Sequence, residues 1–111
     1  NTGAGIDALK KITSADNNTA VGHNTGNNIT SSGNNTLVGK NSAASLASGA
    51  GGNTYLGTSV GYYNGTGVYN VGIGFNSLVG ASGQNNSYNT AVGATSSTAM
   101  TTGVSNLDFW R

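Results

Sequence analysis

The sequence predicts an all-β protein: a β-solenoid, or parallel β-roll, of about six coils of roughly 17 residues each. Three observations predict it. A five-residue string, Asn-Thr-x-(apolar)-Gly, recurs in register along the chain. Turns rich in Ser, Gly and Asn separate the copies. Apolar residues do not recur at i, i+3 and i+4, and Gly is too frequent for helical repeats (19 of 111 residues).

The units start at residues 1, 18, 35, 53, 70 and 89, at spacings of 17, 17, 18, 17 and 19. The first string, Asn1-Thr2-Gly3-Ala4-Gly5, is degenerate. The others are Asn18-Thr19-Ala20-Val21-Gly22, Asn35-Thr36-Leu37-Val38-Gly39, Asn53-Thr54-Tyr55-Leu56-Gly57, Asn70-Val71-Gly72-Ile73-Gly74 and Asn89-Thr90-Ala91-Val92-Gly93. Thr and the apolar fourth residue suit a short strand. The Gly that follows ends the strand and permits a positive φ. A second short strand is expected next, at Ile6–Leu9, Lys40–Ala43 and Phe75–Val79. A further apolar residue (Ile12, Ile29, Leu46, Met100) often precedes the turn. Stacking brings like positions above one another about 4.7–4.9 Å apart. The first-position Asn residues are then expected to form an amide ladder, as in stacked parallel strands. Repeats fill residues 1–105. Residues 106–111 keep an Asn but lose the Gly, and Leu107, Phe109 and Trp110 are expected to cap the last coil.

Composition excludes several classes of function. Charged residues are 6% of the chain, against about 25% in ordinary domains, and the formal net charge is +1. Nucleic acid and anionic lipid are therefore not expected partners. No apolar run is long enough to span a bilayer as a helix. With no Cys there is neither a disulfide framework nor a thiolate metal site. A chain that starts at Asn1, without Met or signal peptide, is expected to be a segment of a longer or processed protein.

The core is thin. Each coil offers two or three apolar side chains, several of them Ala, against about 1–2 kcal/mol of backbone entropy per residue. Association that buries one face of the solenoid is the expected remedy, so the chain is expected to be an obligate homo-oligomer.

The Asn-Thr-Ala-Val-Gly strings are followed by segments such as Asn24-Thr25-Gly26, Lys40-Asn41-Ser42-Ala43 and Phe75-Asn76-Ser77-Leu78. Together they resemble the head repeat of trimeric autotransporter adhesins and, more closely, the repeat region of bacteriophage tail fibres. The resemblance spans Asn1 to Asn106. It implies an intertwined or side-by-side homotrimer, a place in a virion fibre or on the cell surface, and a structural, receptor-binding role in host attachment, with cell-surface glycan as a ligand class. The 18- and 19-residue units depart from the family's more uniform spacing. Two other functions fit the same repeats: a self-assembling extracellular filament, and ice binding through the Thr2, Thr19, Thr36, Thr54 and Thr90 column, which Val71 interrupts.

Catalysis is not expected. His23 is the only His, and its column holds Ile6, Lys40, Thr58, Phe75 and Ala94 in other coils. Asp7, Asp16 and Asp108 form no argued pair. No cofactor or metal site is expected, because the turns lack the Asp of calcium-binding repeats. Gly72-Ile73-Gly74 has no strand–loop–helix unit around it and is not a dinucleotide loop. The candidate ligand-binding residues are Tyr55, Tyr62, Tyr63, Tyr69, Tyr88 and Trp110: an apolar ring beside amide and hydroxyl donors suits a sugar.

Overall fold

The computed structural model describes residues 1–82, 85–100 and 103–109. Seven three-residue strands form one parallel sheet in sequence order: β1 (Thr2–Ala4), β2 (Thr19–Val21), β3 (Thr36–Val38), β4 (Thr54–Leu56), β5 (Val71–Ile73), β6 (Thr90–Val92) and β7 (Leu107–Phe109). Among the described residues there is no helix. The molecule is a β-solenoid of about six turns. Seven rungs at about 4.8 Å per step account for most of its 33 Å long dimension.

Register holds throughout. Thr2, Thr19, Thr36, Thr54, Val71, Thr90 and Leu107 are successive partners across the sheet. The 18- and 19-residue spacings do not disturb it, so the extra residues are absorbed outside the strands. The segment expected as a terminal cap contributes β7, a seventh rung; Trp110 and Arg111 lie outside the described residues.

The expected second strand does not form. Ile6–Leu9 and Lys40–Ala43 are turns, as is Phe75–Val79 apart from Val79, which has no regular structure. Their backbone enters the left-handed region at every second residue: Asp7 and Leu9, Asn41 and Ala43, Asn76 and Leu78. That alternation cannot be extended strand. The turns still bond coil to coil: Leu9 N–H donates to the Thr25 carbonyl, Ala43 to Val60, and Leu78 to Ser96, all at 2.9–3.0 Å.

The predicted amide ladder is present and continuous. In each step one Asn Oδ1 accepts both the backbone N–H and the Nδ2 of the Asn one coil on, from Asn1 through Asn18, Asn35, Asn53, Asn70 and Asn89 to Asn106, at 2.9–3.2 Å. The Nδ2 of Asn18, Asn53, Asn70 and Asn89 donates its other hydrogen to a backbone carbonyl across the coil. Asn side chains can be buried here because both ends of every amide are bonded.

The column after the strands is all Gly. Gly5, Gly22, Gly39, Gly57, Gly74 and Gly93 have φ between 120° and 135°. A Cβ on Gly22 or Gly57 would stand 2.7 Å from the carbonyl oxygen of the next Gly. No side chain fits, because the neighbouring backbone occupies its place.

The middle residue of each strand points inward. Ala20, Leu37, Tyr55 and Ala91 are completely buried, with Ile29, Leu46 and Val60 packed among them. Volumes compensate between rungs. Tyr55 fits because residue 61 in its own coil and residue 72 one coil on are both Gly; a Cβ on Gly72 would meet Val60 at 2.5 Å and the Tyr55 ring at 3.2 Å.

Candidate functional site

With the side chains of the third residue of each repeat string inside, the second and fourth residues of the string, the first and last of each strand, face out, because side chains alternate along a strand. The fourth-position column is Ala4, Val21, Val38, Leu56, Ile73, Val92 and Phe109. Every member is at least partly exposed; Leu56 is 48% exposed and Phe109 66%. Beside it runs the Thr column. The chain therefore carries an uncharged Thr/aliphatic sheet face along its whole described length. Isolated exposed apolar residues are ordinary, but a column of seven is not.

The aromatic candidates separate into four cases. Tyr55 is not a surface residue, a correction to its place among the ligand-binding candidates. It is the middle residue of β4 and wholly enclosed. Its Oη accepts from Asn64 Nδ2 at 2.7 Å. Burial raises the phenol's pKa far above its ordinary value, against smaller downward pulls from Asn64 and Asn70. Tyr62 and Tyr63 pack edge to face, ring centres 4.7 Å apart, above a shallow hollow shared with Ser59, Asn76 and Val79. Tyr69 and Tyr88, one coil apart, stack at 5.4 Å and 28° while remaining 60% and 54% exposed. Trp110 lies outside the described residues.

The Tyr69–Tyr88 stack occupies a demanding backbone position. The residue before each ladder Asn is left-handed in every coil junction: Asn17, Asn34, Gly52, Tyr69, Tyr88 and Ser105, with φ between 55° and 69°. Asn and Gly adopt this conformation readily; other L-residues do so at about 1–2 kcal/mol each. Leu9, Ala43 and Leu78 are also left-handed, but they are buried, and core contacts offset the strain. Tyr69 and Tyr88 are more than half exposed and stack on each other, and an aromatic pair contributes about 0.5–1.5 kcal/mol. That falls short of two strained residues. On fold energetics alone, Asn would serve better at both positions.

Beside Tyr69 runs an open cleft of about 360 Å³, lined by Ser31, Gly33, Asn34, Gly49, Gly51 and Val68 among others. No lining residue is charged. Tyr69 leans over Gly52: a Cβ there would stand 2.5 Å from its ring. Sequence reasoning found the Tyr residues but missed the cleft. A signal existed, because the Gly49–Gly52 run and the Asn17, Asn34, Gly52 series mark the same corner of successive coils.

The polar residues considered for chemistry lie apart. His23 is exposed. Asp7 pairs with Lys10 at 3.3 Å on the surface, and Asp108 accepts from Ser97 Oγ at 2.7 Å. Among the described residues no group of three or more His, Cys, Asp or Glu could hold a metal, and no helix is long and apolar enough to cross a membrane.

Fold and surface together define a β-solenoid repeat protein. Comparison with family models, with curated proteins and with solved structures returned no match.

Proposed function

We propose that this chain is a structural, receptor-presenting segment of a homotrimeric fibre, phage tail-fibre-like or adhesin-like, carried on a virion or a cell surface. The observation that carries the reading is the apolar fourth-position column. It is in register over seven rungs, uncharged and exposed. A second copy of the same face complements it, since like columns with the same rung spacing can pack side chain against side chain. The thin interior, built largely of Ala20, Leu37, Tyr55 and Ala91 along the sheet, gains from the added burial. The number three comes from the repeat's resemblance to trimeric fibres. The flanks that remain outside the packed faces would meet the host, and glycan is the expected ligand class.

Mass in solution tests it. A trimer of the 10.9 kDa chain gives a native mass of about 33 kDa by native mass spectrometry or sedimentation equilibrium. Leu56→Asp places a charge at the middle of the face and is expected to reduce the complex to single chains. A wild-type chain that is monomeric at tens of micromolar overturns the proposal.

A further inference from the structure

We propose that Tyr69 and Tyr88, with the adjoining cleft, form a stacking subsite for a neutral oligosaccharide. This deepens the fibre reading and rests on it only in requiring this flank to stay exposed in the assembly.

Four observations carry the inference. The two rings stack along the solenoid axis yet keep more than half their surface in solvent, so an apolar ring area remains available. Both occupy left-handed positions where the same column elsewhere uses Asn17, Asn34, Gly52 or Ser105, so the fold does not ask for Tyr. The cleft beside Tyr69, at about 360 Å³, lies at the small end of the roughly 300–1,000 Å³ of small-molecule sites. Its lining is glycine-rich and uncharged, and it includes Ser31 and Asn34.

The chemistry follows from that lining. A pyranose has an apolar face of C–H groups and a rim of hydroxyls that both donate and accept. An aromatic ring covers the first; amide, hydroxyl and backbone groups serve the second. The lack of a cation in the cleft disfavours sialylated or sulfated sugars, whose charge would be desolvated without a partner. The Tyr62–Tyr63 hollow is weaker on the same criteria, because its rings are engaged edge to face and its floor is shallow.

The test uses the 111-residue chain, its Tyr69→Asn and Tyr88→Asn variants, and Lys11→Ala as a distant control. An array carrying gluco-, galacto- and manno-configured neutral oligosaccharides beside sialylated and sulfated ones is read first. Cellotriose, galactotriose and mannotriose are then titrated by calorimetry, with native mass recorded for every sample. The proposal expects the wild type and Lys11→Ala to bind at least one neutral class. It expects each Tyr→Asn variant to bind at least about tenfold more weakly, with melting temperature equal or higher and native mass unchanged. Wild-type chain that binds none of the array, or only its charged members, overturns it. So does a change of native mass in the Tyr variants, which would make the pair an interchain packing element and leave the fibre reading intact. A monomeric wild type whose binding depends on Tyr69 would sink the fibre reading and keep the subsite.

Discussion

Replacing Asn53 by Ala removes one rung from the middle of the amide ladder. Its Oδ1 accepts from the backbone N–H and the Nδ2 of Asn70, both at 3.0 Å. Its Nδ2 donates to Asn35 Oδ1 at 3.1 Å and to the Gly67 carbonyl at 3.0 Å. After the change, Asn35 Oδ1 keeps the Asn53 backbone N–H, and Asn70 Nδ2 keeps the Asn86 carbonyl. The Asn70 backbone N–H and the Gly67 carbonyl lose their partners in a buried place, and the Tyr55 hydroxyl loses its 3.4 Å bond to Asn53 Oδ1. The two backbone groups alone, at about 1–3 kcal/mol each, give a loss of roughly 2–6 kcal/mol. That is a large share of the 5–15 kcal/mol typical of a domain.

Urea unfolding followed by far-ultraviolet circular dichroism measures it, with protein concentration held fixed so that association does not shift the midpoint. The matched variant is Asn106→Ala. There the side-chain bond lost among the described residues is the one to Asn89 Oδ1, in a partly exposed rung, and the expected loss is about 0.5–1.5 kcal/mol. Equal losses at the two positions would refute the idea that a continuous buried ladder holds the coils together. So would a loss below about 1 kcal/mol at Asn53. Asn53→Asp sharpens the test. It keeps the shape but turns a donor into an acceptor facing Asn35 Oδ1 and the Gly67 carbonyl. Its carboxyl is held protonated by burial and by those acceptors, so its damage should ease as pH falls.

Gly39→Ala sets a Cβ against the Gly57 backbone at φ 128° and is expected to lose at least about 3 kcal/mol in the same urea assay. Gly49→Ala also sits at positive φ but meets nothing within 4 Å, so it should lose only about 1–2 kcal/mol. Burial raises the Tyr55 pKa above its unfolded value of 10.0. The stability linked to its proton is therefore complete below pH 10 and falls as pH rises beyond it; Tyr55→Phe should flatten that alkaline fall while losing about 1–3 kcal/mol at neutral pH through the orphaned Asn64 amide. An alkaline limb identical in wild type and Tyr55→Phe would show that Tyr55 is not the group responsible.

The stack was legible in the sequence because it depends on positions that tolerate one residue type each. A column of Asn and a column of Gly, repeated at 17–19 residue spacing, leave a periodic mark that no composition effect imitates. The strand register followed from it. The second strand was not legible correctly, since Phe75–Val79 has β-prone residues. What forbids it is backbone geometry at Asn76 and Leu78, and Leu gives no warning that it will stand at φ 49°. The inward direction of Tyr55 was hidden for a different reason. Its room comes from Gly61 and Gly72, residues that read locally as turn and strand glycines and show their purpose only when coils are stacked. The cleft beside Tyr69 joins residues from three coils, so no contiguous motif announces it.

The coil divides its positions into those the fold dictates and those it leaves open, and this division bears on what the surface is for. Inside, Asn, Gly and the third-position side chain are fixed by bonding, by backbone contact and by volume. Outside, a column meets solvent and the fold asks little of it. The position after the Gly shows that latitude: Ile6, His23, Lys40, Thr58, Phe75 and Ala94. The fourth position also faces outward, though Val38, Ile73 and Val92 are only partly exposed, yet it holds Ala4, Val21, Val38, Leu56, Ile73, Val92 and Phe109, without one polar member. β-propensity does not explain this, because Thr and Tyr are as strand-prone as Val and fill neighbouring columns. An outward column that stays apolar on every rung is the feature on which the proposed association rests. In the proposed fibre, a second copy of the same column would meet it rung for rung.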